Sequence, residues 1–181
     1  MVDYSDDQLD ETYFDRPRLK IESFDAELLQ EPVTSLPVRP ALVFSTQETV
    51  TDAMRAMQRE HRGCVAVTQD GTSGSKLVGI FTERDVLLRI VDRGKNPATL
   101  PLSEVMTQDP EVLSVGSSVA YALNKMSVGG FRHVPVVDDE HRPAFVVSVR
   151  DVVAFLVEAF PREVLTLPAD SDPSLKSREG A

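Results

Sequence analysis

The chain has no tryptophan, one cysteine and only nine glycines in 181 residues. It contains no apolar run of 18 or more residues, so a membrane-spanning helix is not expected. The lone Cys64 excludes an internal disulfide framework. The opening segment, MVDYSDDQLDE, lacks the basic and apolar stretches of a signal peptide. Together these absences point to a cytoplasmic protein. Basic charge is also scarce: the formal net charge is −10, and residues 1–31 hold ten acids against three bases. An acidic chain gains nothing from counterion release on a polyanion, so nucleic-acid binding is disfavoured, although a local basic pocket for a small anion stays open. Familiar catalytic and metal signatures are missing as well. His61, His133 and His141 show no metal-ligand spacing with each other or with Cys64. No G-x-S-x-G or Walker A string occurs.

What is present is a repeat. Hydrophobic residues make up 41% of the chain, enough for a packed core. Val50, Ala53, Met54 and Met57 follow the i, i+3, i+4, i+7 stripe of an amphipathic helix. Val119, Ala122, Leu123 and Met126 repeat the stripe 69 positions later. Strand-like runs follow each helix: CVAV at 64–67 and HVPVV at 133–137, then LVGIF at 77–81 and AFVVS at 144–148. Turn-rich segments, TQDGTSGSK and DDEHR, separate the runs of each pair, and the 69-residue offset falls to 66 across them. A first turn three residues longer than the second accounts for this, because loops tolerate insertions and strands do not. A second apolar helix closes each half, ERDVLLRIV and VRDVVAFLVEAF, and short extended pieces, PALVF and PEVLS, precede each half. A unit of about 60 residues has too small a core to be comfortable alone, so two units are expected to stack their sheets. The SVGG segment at 127–130 reads as a helix stop, and LSEVM inside the Gly- and Pro-marked segment 92–110 as a single helical turn.

The strings GIFTERD and FVVSVRD each run from a strand through a hydroxyl residue to Arg-Asp. With EVMTQDPEVLSV and GGFRHVPVVDD, in this order and repetition, the chain resembles a tandem pair of CBS domains over about residues 36–160. The resemblance implies an α+β fold of two βαββα units packed as a pseudo-twofold pair. It divides the chain into an acidic arm (1–32, partly disordered), unit one (33–95), unit two with its linker (96–165) and a flexible tail (166–181). It implies no catalytic activity and no required cofactor. What it does imply is a regulatory module that senses AMP, ADP, ATP or S-adenosylmethionine in clefts between the units, forms a homodimer and modulates a separate protein. The alternative is a ligand-free module for dimerisation and protein interaction.

Read as chemistry, Thr82 with Asp85, and Ser148 with Asp151, are near to capping boxes, each able to stabilise its helix by about 1 kcal/mol. A helix N-terminus also favours phosphate, and a carboxylate can accept both hydroxyls of a ribose. The resemblance carries these roles onto Thr82, Arg84 and Asp85 in one site and Ser148, Arg150 and Asp151 in the other. The resemblance also implies that Arg132 and His133, just before a strand that often lines the family's cleft, strengthen the second site by meeting a phosphate, whereas Gly63 and Cys64 stand at the matching places of the first half. Val65, Val134 and Pro135 are candidate contacts for an adenine face, and Thr107 a linker contact. One departure stands out: the family's glycine is present as Gly79, but Phe145 replaces it in the second half.

Overall fold

The computed structural model describes residues 26–160. The expected arm and tail therefore fall largely outside the described residues. Strand β1 (Val43–Ser45) leads to helix α1 (Val50–Glu60), the antiparallel pair β2 (Cys64–Thr68) and β3 (Leu77–Thr82), and helix α2. The latter opens with one turn at Glu83–Asp85 and widens into π-type turns over Val86–Val91. The second unit repeats the plan. Strand β5 (Leu113–Ser114), helix α3 (Val119–Gly129), strands β6 (His133–Val137) and β7 (Pro143–Ser148) and helix α4 (Val149–Ala159) follow in order. The expected α+β architecture of two βαββα units is present.

Local sequence explains the element ends. Thr49 and Ser118 cap α1 and α3 by accepting from the backbone N–H three residues on. Gly130 ends α3 in the left-handed conformation that glycine enters without strain. His61 takes that conformation at the end of α1. Within each unit the first strand pairs parallel with the second, and the second antiparallel with the third. The single helical turn expected in the linker is formed by Leu102–Glu104.

Strand periodicity assigns the faces. Val65 and Val67 join Val50, Ala53, Met57 and Phe81 in the core of unit one. Their neighbours Cys64 and Ala66 face the other sheet instead, in seams with Val146 and with Val137 respectively. Alternate residues of one strand therefore supply a helix-facing core and an inter-unit seam. In unit two, Val134, Val136 and Val147 form the core with Val119, Ala122 and Met126. Cys64 is buried in the seam, and that burial pushes its thiol up to about 12.

The two units exchange their leading segments. The turn at Val33–Ser35 precedes unit one, yet Val33 and Leu36 are buried in the core of unit two. Val33 N–H donates to Ser117 O, and Val119 N–H to Glu31 O. Reciprocally, the turn at Leu102–Glu104 precedes unit two and packs on unit one. Leu102 N–H donates to Glu48 O, and Val50 N–H to Leu100 O. The strand pairing follows suit. Thr107–Gln108 adds a fourth strand, β4, to β3 of unit one, with Gly79 opposite Gln108. Pro40 bridges to Phe145 of unit two. The repeat thus reaches back to Pro32-Val33, which matches Pro101-Leu102 at the same offset of 69. This was visible in the sequence but lies beyond the helix and strand patterns.

Candidate functional site

A cavity of about 470 Å³ opens where unit one meets the start of β6. Its lining includes Thr82 and Asp85, at the junction of β3 with α2. The capping box expected from the sequence is complete. Thr82 N–H and Oγ1 both donate to Asp85 Oδ2 at 2.8 Å, and Asp85 N–H donates back to Thr82 Oγ1 at 3.4 Å. Asp85 is only 7% exposed.

Its second oxygen is held by a residue the sequence reading did not single out. Arg89 Nε lies 3.2 Å from Asp85 Oδ1. The same guanidinium donates through Nη1 to Val105 O at 2.7 Å and through Nη2 to Thr107 Oγ1 at 3.1 Å. Arg89 thus ties α2 to the linker strand and to Thr107, which lines the cavity. The signal was an i, i+4 acid–base pair on a helix. Arg84 also lines the cavity and donates to Gly130 O at 3.0 Å, a bond from unit one to the end of α3 in unit two.

Arg132 and His133 line this cavity too. Sequence reasoning grouped them with Ser148 and Asp151 of their own repeat; the structure corrects that grouping. Each cleft is shared, so the start of one unit's central strand faces the other unit's second helix. His133 Nε2 lies where a side chain on Gly63 would stand, 2.7 Å from the position of its Cβ. Burial lowers the imidazole's pKa, as does Arg132 to a lesser extent, while Glu83 and Asp151 oppose the shift. Among the described residues, neither Arg132 nor His133 makes a side-chain hydrogen bond or ion pair.

The second half is built differently. Ser148 N–H and Oγ donate to Asp151 Oδ2 at 2.7 and 2.6 Å, so this capping box is also complete. The position of Arg89 is taken by Phe155, which packs against the core of unit two. Arg62 runs along the incoming chain and donates to Pro40 O at 3.1 Å. Its Nε is buried without a partner among the described residues. Burial and the neighbouring Arg39 lower its pKa, while Cys64 and Asp151 raise it. Arg39 itself donates to Glu60 O and His61 O at the end of α1. Ser148, Arg150 and Asp151 do not line the 470 Å³ cavity.

Three apolar expectations move. Val65 and Val134 lie in the two cores and Pro135 is buried in β6; none lines the cavity. On a period-two strand the cavity-facing residue adjacent to Val134 is His133. The apolar lining comes instead from Ile80, Leu88 and Phe131. The Gly79 and Phe145 difference is also resolved. A Cβ on Gly79 would stand 2.5 Å from Met106 Sδ and 3.0 Å from Thr107 O, so glycine lets the linker lie against β3. Phe145 is buried in the core of unit two. The counterpart of Met106 in that half is the smaller Pro37. Phe145 is therefore a packing residue.

Comparison with known proteins agrees with this duplicated plan. Residues 33–92 and 102–158 match the CBS domain. The chain belongs to the CBS domain family. Among curated proteins it is 32% identical over 133 residues to the CBS domain-containing protein CBSCBSPB2 of Arabidopsis thaliana, covering 74% of this chain and 24% of that one. It is 31% identical over 127 residues to CBSX3, mitochondrial, of the same plant, covering 69% and 61%. The chain thus spans less than two thirds of either relative. A solved CBS-domain protein from Agrobacterium tumefaciens superposes with a TM-score of 0.58 at 27% identity, covering 65% of this chain and 85% of that one. A CBS domain protein from Pyrobaculum aerophilum, complexed with AMP, superposes with a TM-score of 0.63 at 24% identity, covering 71% and 97%. No helix among the described residues of this CBS pair is long and apolar enough to cross a membrane.

Proposed function

We propose that this CBS pair is a regulatory module that binds an adenosine nucleotide in the cleft at Thr82 and Asp85, and through it modulates a separate protein. The observation that carries the reading is the composition of one cavity. Its lining joins a buried carboxylate and two threonine hydroxyls with Arg84, Arg132 and His133, gathered from both units. A ribose diol suits the first group and a phosphate the second. The AMP bound by the Pyrobaculum protein belongs to the same ligand class.

Such a ligand would touch α2, the linker and β6 together. It would favour whichever arrangement of the units holds these three at bonding distance, by its difference in affinity between the arrangements. The CBS units contribute no catalytic constellation to this reading, which is regulatory throughout. Calorimetry with AMP, ADP and ATP at millimolar concentration tests it. Binding that weakens at least tenfold in Asp85→Ala is expected; no heat and no melting shift with any of the three defeats it.

A second reading, dimerisation and protein interaction, is favoured by a different observation. Leu87 and Val91 on α2 and Val153 on α4 are each more than half exposed. These residues stand on the second helix of each unit, where a second copy would cover them. The two readings are compatible. Sedimentation of the wild type against Leu87→Glu with Val153→Glu tests the dimer, which the double variant should dissociate.

A further inference from the structure

The charges around the cavity nearly cancel. Asp85 is paired with Arg89, and Glu111 with Lys125. What remains on the lining is Arg84 and Arg132 against Glu83 and Asp109. Counted by charge, these two cations and two anions cancel, so the lining as a whole carries no net positive charge. One further group lines the cavity and can change charge near neutral pH, and that is His133.

We infer that His133 determines the cavity's preference for a phosphorylated over an unphosphorylated ligand, and that it takes up a proton when such a ligand binds. This rests on the nucleotide reading of the cleft and adds to it a residue, a ligand charge and a proton.

The surroundings of the imidazole support a neutral resting state that an anion reverses. Helix α2 presents Glu83 to it, α4 presents Asp151, and the residue just before its strand is Arg132. The start of β2 contributes Gly63 and the buried Cys64, whose thiol stays neutral at physiological pH. Burial outweighs the two acids and holds the imidazole below its ordinary value. Its nitrogens make no hydrogen bond among the described residues, so a donor is available to an incoming oxygen. A phosphate placed between Arg132 and His133 adds negative charge beside the ring and accepts its N–H, and both effects raise the imidazole pKa. The proton comes from solvent, and nothing else in the complex changes its covalent state.

The sign of the pH dependence separates this from titration of the ligand. A phosphomonoester has its second pKa near about 6 and loses negative charge below it. Without His133, affinity for AMP should therefore be flat above pH 7 and fall on acidification. With His133 taking up a proton, affinity should instead rise as pH falls from 8 to 6.5. Up to tenfold per pH unit is the limit for one proton.

The experiment uses the full chain with AMP and adenosine as probes, in buffers of different ionisation enthalpy. The expected results are net proton uptake with AMP, tighter AMP binding at pH 6.5 than at 8, and a pH-independent, weaker affinity for adenosine. In His133→Asn the uptake should vanish and the AMP-to-adenosine affinity ratio fall about tenfold. Should that variant misfold, the wild-type His133 imidazole can be titrated by NMR with and without AMP, and its pKa should rise on binding. The inference is overturned if AMP and adenosine bind alike, if AMP binding takes up no proton, or if the His133 titration ignores AMP. Failure of both probes to bind at any pH removes the nucleotide reading itself, and this inference with it.

Discussion

Asp85 and Asp151 occupy the same place in two copies of one unit, and each completes a capping box with the hydroxyl residue before its helix. Their surroundings then part. Asp85 has an arginine on its free oxygen and faces a cavity. Asp151 has Phe155 where that arginine would be, with Arg62 drawn along the incoming chain nearby. Duplication preserved the local device, the cap, while the side chains one helical turn away and across the cleft diverged. A motif shared by two halves is therefore evidence for shared backbone geometry, and only its neighbours say whether the same chemistry is available.

The largest effects should come from the volumes that differ between the halves. Phe145→Ala removes a buried ring from unit two and is expected to cost about 3–5 kcal/mol in urea unfolding. Gly79→Ala inserts a carbon against Met106 and Thr107 in unit one and should cost about 1–3 kcal/mol, because the thioether can shift and the backbone oxygen cannot. A Gly79→Ala variant as stable as the wild type would mean that the linker does not depend on the glycine.

The exchanged straps come next. Leu102 and Val33 are fully buried counterparts. Leu102→Ala should cost about 2–5 kcal/mol and Val33→Ala less, because the first deletes three side-chain carbons and the second two. Hydrogen exchange should show Leu102→Ala loosening unit one and Val33→Ala loosening unit two, the reverse of their sequence order. Loosening confined to the unit that follows each strap would contradict the exchange.

The aspartates themselves should differ by less. Asp151→Ala loses a cap, at about 1 kcal/mol. Asp85→Ala loses the same cap and leaves Arg89 without its carboxylate, adding a further cost of about 1–2 kcal/mol. Thermal melts of the two variants measure the difference, and a larger loss from Asp151→Ala would refute the distinction.

The smallest comparison concerns the two turns. Asp70 is held below the usual carboxylate range by hydrogen bonds from Ser75 and Thr72, and Asp138 by hydrogen bonds from Arg142 and by its charge. A carboxyl whose folded pKa is lower than its unfolded one stabilises the fold above the unfolded value. That contribution is lost as pH falls through the folded value. Stability should therefore drop below about pH 4. Asp70→Asn and Asp138→Asn should each flatten that drop slightly, and added salt should weaken the effect of Asp138 more, because an ion pair contributes to it. A drop unaltered in both variants would assign the acid sensitivity to other carboxylates.

Much of this molecule was legible without coordinates. The helix stripes at Val50 and Val119 and the four principal strands were set by apolar period and turn composition, both local properties. So were the caps at Thr82 and Ser148, because a hydroxyl followed three residues later by an acid satisfies helix-end N–H groups wherever it occurs. Strand β4 escaped notice because two residues carry no period. The face of β6 also escaped, since a run of apolar residues buried on both sides hides the alternation that separates His133 from Val134.

The amino-acid order alone determined the duplicated unit, its capping devices and the family to which the chain belongs, because each of these is written in contacts only a few residues long. Tertiary structure decided that the two units exchange their leading segments and share each cleft. It thereby brought Arg132 and His133 from one repeat to Thr82 and Asp85 of the other. Pairings across 40 or more positions depend on how two sheets stack, and no period or spacing within either half encodes that.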